Sequence, residues 1–195
     1  MKLYDISQEV FSCAVYEGDP SPKREVLSDM KIGALYNLTA FSMCAHNGTH
    51  IDAPSHFVKD GKAVDELPLD VFVGKCFLAR LNGDITEKEA EDIMKRASDA
   101  HAAERILLAG DLVVTASAAK AFAKHGIKLL ANESQTVGPT CAPMEVHKIL
   151  LGNGVALLEG IRLNGIDEGV YFLNAAPLNL ASSDGAPCRA ILIGE

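Results

Sequence analysis

Three of the six histidines in this chain fall within eleven residues, together with an aspartate: His46-Asn47-Gly48-Thr49-His50-Ile51-Asp52-Ala53-Pro54-Ser55-His56. All four positions are even-numbered, and alternate side chains of extended backbone point the same way, so 46, 50, 52 and 56 can share one face. Imidazole and carboxylate donors suit zinc, manganese or iron, and no thiolate stands at a spacing that would suggest a sulfur-rich structural site. The segment is a metal site in outline. A helix does not fit it, because Gly48 and Pro54 would interrupt one and Asn47 and Thr49 are poor helix formers. The competing reading, scattered polar loop residues, suits a lone histidine better than a cluster. Cys44 shares the parity and could reach an ion, although a small buried apolar residue is the preferred reading for it.

Elements on either side must hold these residues in place. Residues 2–7 alternate as a half-buried strand, and Tyr16 to Pro22 is turn-rich. Residues 34–44 are mostly apolar or small, which predicts a buried strand delivering His46 and His50 to its end, and 71–81 reads as another strand. Thr86 with Glu89 three residues on is a capping-box pattern for a helix running from Glu87 to about Ala97. Beyond it come a strand at 105–109, a helix at 116–124 closing near Gly126, a strand at 127–131 and a helix at 143–151 carrying His147. A strand at 155–158 ends at Glu159, and short apolar strands follow at 169–173 and 189–193. This alternation is that of an α/β protein. No repeat at a fixed period is present.

Two remote residues join the candidates. Glu159 follows four apolar residues at a strand end, where an inward carboxylate needs a partner such as a metal; a solvated turn is the alternative. His147 on its helix is either a ligand or an ordinary core or surface histidine. Asn132-Glu133-Ser134-Gln135 could contact substrate or orient water through Glu133, or simply form a polar loop. Gly48 and Thr49 either let backbone approach the site closely or form an Asn-Gly turn.

The chain has 195 residues, 48% of them apolar, enough for one substantial core, and a single unit over residues 1–195 is expected. A formal charge of -8 with no Lys/Arg cluster argues against a nucleic-acid partner and for small-molecule chemistry. The five cysteines, Cys13, Cys44, Cys76, Cys141 and Cys188, are scattered and odd in number, as in a reducing, cytoplasmic compartment. No apolar run approaches the roughly 18 residues a membrane span needs, so a membrane partner is not expected.

The eleven-residue run resembles, position for position, the His-x-Gly-Thr-His-x-Asp-x-Pro-x-His signature of the cyclase family of metal-dependent hydrolases, which includes bacterial kynurenine formamidases and isatin hydrolases. The resemblance extends over nearly the whole chain, through Gly18-Asp19-Pro20, Leu67-Pro68-Leu69, His147, Glu159 and Ala176-Pro177-Leu178. It implies a mixed, partly closed β-sheet with flanking helices, a swivelling β/β/α arrangement, and a homodimer. It also implies two divalent ions per chain, zinc or manganese. His46, His50 and Asp52 would hold the first, Asp52 would bridge, and His147 and Glu159 would complete the second. His56, free of metal, would be the acid/base residue.

Those residue types suit amide hydrolysis on chemical grounds as well. A bound divalent ion can lower the pKa of its water to about 7 and polarise a carbonyl. Histidine can relay the proton to the leaving amine near neutral pH. The expected activity is cleavage of a formamide or cyclic amide, of arylformamidase type as in the conversion of N-formylkynurenine to kynurenine, a step of tryptophan catabolism. The alternatives are a cyclic imide or lactone hydrolase and a non-catalytic metal-binding protein. Three departures bear on the substrate. The chain has no tryptophan and only 6% aromatic residues to wall an aryl pocket. The connection from 109 to 116 is short beside relatives that insert a longer loop there, which implies a different or more open pocket. Asn132-Glu133-Ser134-Gln135 stands where formamidases show an Asp-containing stretch.

Overall fold

A computed structural model describes residues 1–194. In chain order the strands are β1 (Lys2–Asp5), β2 (Lys23–Ser28), β3 (Leu38–Ser42), β4 (His50–Asp52), β5 (Val73–Arg80), β6 (Gly83–Ile85), β7 (Arg105–Ala109), β8 (Leu112–Val114), β9 (Leu129–Asn132), β10 (Ala156–Glu159), β11 (Gly169–Asn174), β12 (Gly185–Pro187) and β13 (Ile191–Gly194). The helices are α1 (Glu87–Asp99), α2 (Ala116–Lys124) and α3 (Met144–Gly152). Nine strands form one sheet in the order β1-β13-β11-β5-β7-β9-β10-β4-β12. Its centre, β5-β7-β9-β10, is parallel, and antiparallel strands extend it on both sides. This is the mixed α/β architecture expected from the sequence.

The central strands read as unbroken apolar runs because both of their faces are buried. Phe77, Ala79, Ile106, Leu108, Leu130 and Leu157 face the helices, packing against Ile93, Met94, Phe122 and Leu150. Cys76, Leu78, Leu107, Leu129, Ala131 and Leu158 face the other way, into a second core that also takes Ile6, Ile51, Leu173 and Leu192 from the flanking strands. The sheet curls over that second core, so its partly closed form follows from filling both sides. Thr86 caps α1 with Glu89 at its third position, and Thr115 caps α2 by accepting the Ala118 N–H.

One expectation needs correction. Residues 34–44 do not form a buried core strand. Only Leu38–Ser42 is extended, and it pairs with β2 alone, in a two-stranded ribbon standing off the body. Its apolar side chains lie in solvent, with Ile32 86% and Leu35 93% exposed at the tip. Apolar composition indicates that a surface gets covered, not that the same chain covers it. β2 escaped notice because Lys23-Arg24-Glu25 hides a strand that has no buried face. Glu133 has both carboxylate oxygens engaged by backbone: they accept the N–H of Gly110 at 2.9 Å and of Leu163 at 2.8 Å, tying two loops together.

One polar group fastens the parallel strands from below. Arg105 is buried, and its guanidinium donates to the carbonyls of Val71 (3.0 Å), Lys75 (3.1 Å) and Asp70. A Cβ at Gly74 would lie 2.6 Å from that guanidinium, which accounts for glycine there. Arg105→Met would leave the buried Val71 carbonyl and two part-buried ones without this donor, and a loss of about 2–4 kcal/mol is expected in urea unfolding. A loss below about 0.5 kcal/mol would show that water replaces the guanidinium without difficulty.

Candidate metal centre

The site is assembled where β4 lies between β10 and β12, at the carboxyl end of the parallel strands. In the antiparallel pairing of β4 with β10, Glu159 stands opposite His50 and Leu157 opposite Asp52. Ile51 between them turns into the second core with no exposed surface, so its neighbours His50 and Asp52 must emerge on the other face, beside Glu159. The helix α3 brings His147 over the same face. His50, Asp52, His147 and Glu159 are all buried. His46 comes from the turn before β4, and His56 from a one-turn 3-10 helix, Pro54–His56, after it.

The two oxygens of Asp52 serve different groups. Oδ1 lies 2.8 Å from His46 Nδ1 and 3.3 Å from His50 Nε2. Oδ2 lies 3.6 Å from His147 Nε2, which in turn is 3.3 Å from Glu159 Oε1. His50 Nε2 is 3.6 Å from Glu159 Oε2. Two ligands held at about 2.1 Å from one ion at a tetrahedral angle are about 3.4 Å apart. The longer separations therefore match neighbouring ligands around a cation better than hydrogen bonds. One donor atom each from His50, Asp52 and Glu159 lie within 4.8 Å of one another, as do donors from His46, Asp52 and His56.

Every ring has its second nitrogen engaged. His50 Nδ1 faces the Gly48 carbonyl at 3.0 Å, and His147 Nδ1 the Pro143 carbonyl at 2.9 Å. Donation to those carbonyls leaves Nε2 bare on both rings, the form a ligand needs. His46 Nε2 and His56 Nδ1 both meet Asp184 Oδ2, at 2.9 and 3.0 Å, and the two rings stack at 4.1 Å between centroids.

The electrostatics call for a cation. Burial raises the Glu159 carboxyl above the usual range, and the neighbouring Asp52 charge raises it further. Burial also acts to raise Asp52, but His46 and His50 outweigh it and hold that carboxyl well below its ordinary value. Burial acts to lower His46, yet the carboxylates of Asp52 and Asp184 on either side hold it up at about 9. Two adjacent buried carboxylates among imidazoles form a hard-to-borderline donor set, and a divalent ion fits it.

All six expected site residues thus converge on one cleft. Cys44 stays outside, its Sγ 3.9 Å from Asp19. Thr49 is structural, donating to the Gly160 carbonyl at 2.8 Å and accepting the Gln8 N–H at 2.9 Å. Gly48, with φ at +63°, packs against Cys13, where a Cβ would come within 2.8 Å of the cysteine's own. Sequence reasoning missed Asp184, which lies in an apparent loop 128 residues beyond His56. It singled out the segment carrying Gln135 but not the other walls. A cleft of about 270 Å³ over the donors is lined in addition by Tyr16, Asp19, Phe57 and Gln135.

Comparison with known proteins agrees with this geometry. The chain matches the Cyclase family over residues 4–167. It is 32% identical to a kynurenine formamidase of Salinibacter ruber, over 98% of this chain and 97% of that protein. It superimposes on the solved structure of a predicted metal-dependent hydrolase from Bacillus stearothermophilus with a TM-score of 0.78 at 30% identity, covering 98% of this chain and 97% of that one. The fold is also that of isatin hydrolase A from Labrenzia aggregata, with a TM-score of 0.81 at 20% identity over 100% of this chain and 94% of the other. The chain belongs to the cyclase family, and it is a hydrolytic enzyme.

The raised histidines set the pH dependence of metal uptake. At neutral pH the metal-free His46 is protonated, so an incoming cation must displace that proton. Zinc affinity measured by chelator competition is expected to rise between about pH 6 and pH 9, and titration calorimetry in two buffers should detect proton release. A pH-independent affinity without proton release would contradict this arrangement.

Proposed function

We propose that this chain is a metal-dependent amidohydrolase that cleaves the C–N bond of a formamide or cyclic amide, with an N-formyl arylamine such as N-formylkynurenine as the leading substrate class. The observation that carries it is the division of Asp52: one oxygen faces His46 and His50, the other faces His147, which adjoins Glu159. On this reading His46, His50 and Asp52 hold one ion, and Asp52, His147 and Glu159 hold a second, with zinc or manganese suited to the donors. A divalent ion bound there supplies an acidified water and a Lewis acid for the substrate carbonyl.

The chain's own residues do the rest. His56 is the catalytic residue, taking the proton from the attacking water and delivering it to the leaving nitrogen. Its Nδ1 is engaged by Asp184, which leaves Nε2 as the nitrogen that exchanges the proton. Phe57 stands perpendicular to His56 at 4.5 Å, and with Tyr16 it walls the cleft. Two aromatics, Tyr16 and Phe57, are therefore placed where a single-ring acyl or aryl group would lie, which supports the arylformamide class. The cleft's modest volume favours a compact substrate.

The same reading covers the setting. The unit is residues 1–195, acting on a small molecule with neither nucleic acid nor membrane as partner, and five unpaired cysteines support a cytoplasmic location. A homodimer is supported by the exposed apolar ribbon and by the groove of about 510 Å³ beside its base, lined by Val10, Phe41, Met43 and Leu178 among others. Ile32→Asp combined with Leu35→Asp is expected to convert the dimer to monomer in light scattering. A parent that is already monomeric at micromolar concentration would refute it.

The catalytic reading is tested with the purified protein and its variants. Elemental analysis should find one to two equivalents of metal in the parent, lost in Asp52→Ala, and His56→Ala should keep its metal while kcat falls about 10²–10⁴-fold. N-formylkynurenine, a cyclic imide and a lactone assayed side by side identify the class. Full metal with turnover on none of them would leave the non-catalytic metal-binding alternative.

A further inference from the structure

We propose that Asp184 is a positioning residue that sets, through a single carboxylate oxygen, both a metal-binding ring and the acid/base ring. The inference rests on the hydrolase reading above and extends it to a residue outside the signature.

Asp184 is placed by backbone. It immediately precedes β12, whose pairing with β4 sets Gly185 opposite Asp52. The Asp184 carbonyl accepts the Ala53 N–H at 2.9 Å, and the Ser183 carbonyl accepts the Val64 N–H at 2.9 Å. The chain is thus anchored on both sides of the carboxylate. β12 also presses against the His46 ring: a Cβ on Gly185 would fall 2.7 Å from His46 Cε1 and 2.6 Å from the Ile51 carbonyl. Glycine at 185 makes room for the ring, and aspartate at 184 holds it.

The geometry then fixes which nitrogen does what. A carboxylate oxygen accepts and cannot donate, so at 2.9 and 3.0 Å it takes an N–H from Nε2 of His46 and from Nδ1 of His56. His46 Nδ1, directed at Asp52 Oδ1 2.8 Å away, is the atom that would face a cation once its proton is displaced. His56 is left with Nε2 as its basic nitrogen. The other two rings, His50 and His147, are held by neutral backbone carbonyls. Among the described residues, Asp184 is the one side chain hydrogen-bonded to both His46 and His56, whose rings lie 4.1 Å apart. Loss of its carboxylate should therefore loosen metal at the His46 side and misdirect His56 at the same time, while substrate binding changes little.

Three measurements on Asp184→Ala and Asp184→Asn, beside the parent, test this. Zinc affinity by chelator competition, without substrate, should fall about 10–100-fold in Asp184→Ala and recover most of that loss in Asp184→Asn, whose amide oxygen can still accept. With metal saturating, kcat should fall at least about tenfold in Asp184→Ala while KM stays within about threefold, and Asp184→Asn should lie between. Nitrogen NMR of the histidine rings in the zinc-loaded protein should show His46 as Nε2–H and His56 as Nδ1–H in the parent, with both preferences lost in Asp184→Ala. Parent-like zinc affinity and ring tautomers in Asp184→Ala, in a protein that unfolds at the parent's temperature, would overturn the proposal. So would a rise in KM alone. If the parent turns over no substrate, the hydrolase reading fails by itself, and the affinity and NMR results still decide whether Asp184 positions the rings. Asp184 is half exposed, with 49% of its side-chain surface in solvent, so neither variant removes core packing.

Discussion

The repulsion between two buried carboxylates is the constraint on which the rest of the site depends. Asp52 and Glu159 present oxygens within 4.8 Å of each other in a region almost closed to water. Left alone, the pair cannot both stay ionised at that distance, and Glu159 is the member pushed toward its neutral form. What forces them together is the apolar side of the same strands. Ile51 and Leu158 are register partners in β4 and β10 and are fully buried in the second core. Separating the carboxylates would mean pulling that pair apart. The core therefore holds open an electrostatic demand that protons or a divalent cation can meet, and the two oxygens of Asp52 divide that demand between two sets of nitrogens.

The imidazoles answer the demand only because their far nitrogens are occupied. A histidine with two free nitrogens has no preferred tautomer and little to fix its ring, whereas one hydrogen bond on the distal side settles both. Here those bonds come from three unrelated places: the Gly48 carbonyl in a left-handed turn, the Pro143 carbonyl at the start of α3, and the Asp184 carboxylate beside β12. Each is set by backbone already committed to a turn, a helix start or a sheet pairing. The precision of the centre is inherited from these elements and would not survive if its residues sat on a mobile loop.

Much of this was legible in the sequence, and the failures have physical causes. Helices announced themselves through caps and periodicity, as at Thr86 with Glu89, and the central strands through apolar runs that only two-sided burial produces. Glu159 stood out because a carboxylate after four apolar residues needs a partner. The ribbon misled because residues 34–44 carry a strand's composition, yet within this chain they pair only with β2. The strands β4 and β12 are three residues each, too short for any periodicity, although they carry the site. Asp184 was invisible for a related reason: its role depends on the pairing of β12 with β4, and nothing local to Asp184-Gly185-Ala186-Pro187 distinguishes it from a turn.

The shared parity of 46, 50, 52 and 56 foretold a common face and left the spacing open. In a continuous strand four residues span about 13 Å, so His46 and His56 would lie far out on opposite sides of the carboxylate. Instead the His46 and His50 ring centroids are 5.2 Å apart, and donors from His46, Asp52 and His56 come within 4.8 Å. Two breaks in the strand accomplish this. Gly48, with φ at +63°, folds the chain back before β4, and Pro54 starts a 3-10 turn just after it, returning His56 toward the cluster. The same two residues that argue against a helix are the ones that prevent a straight strand. His56 comes back beside His46 and Asp184, at the edge of the cluster where β4 has already ended.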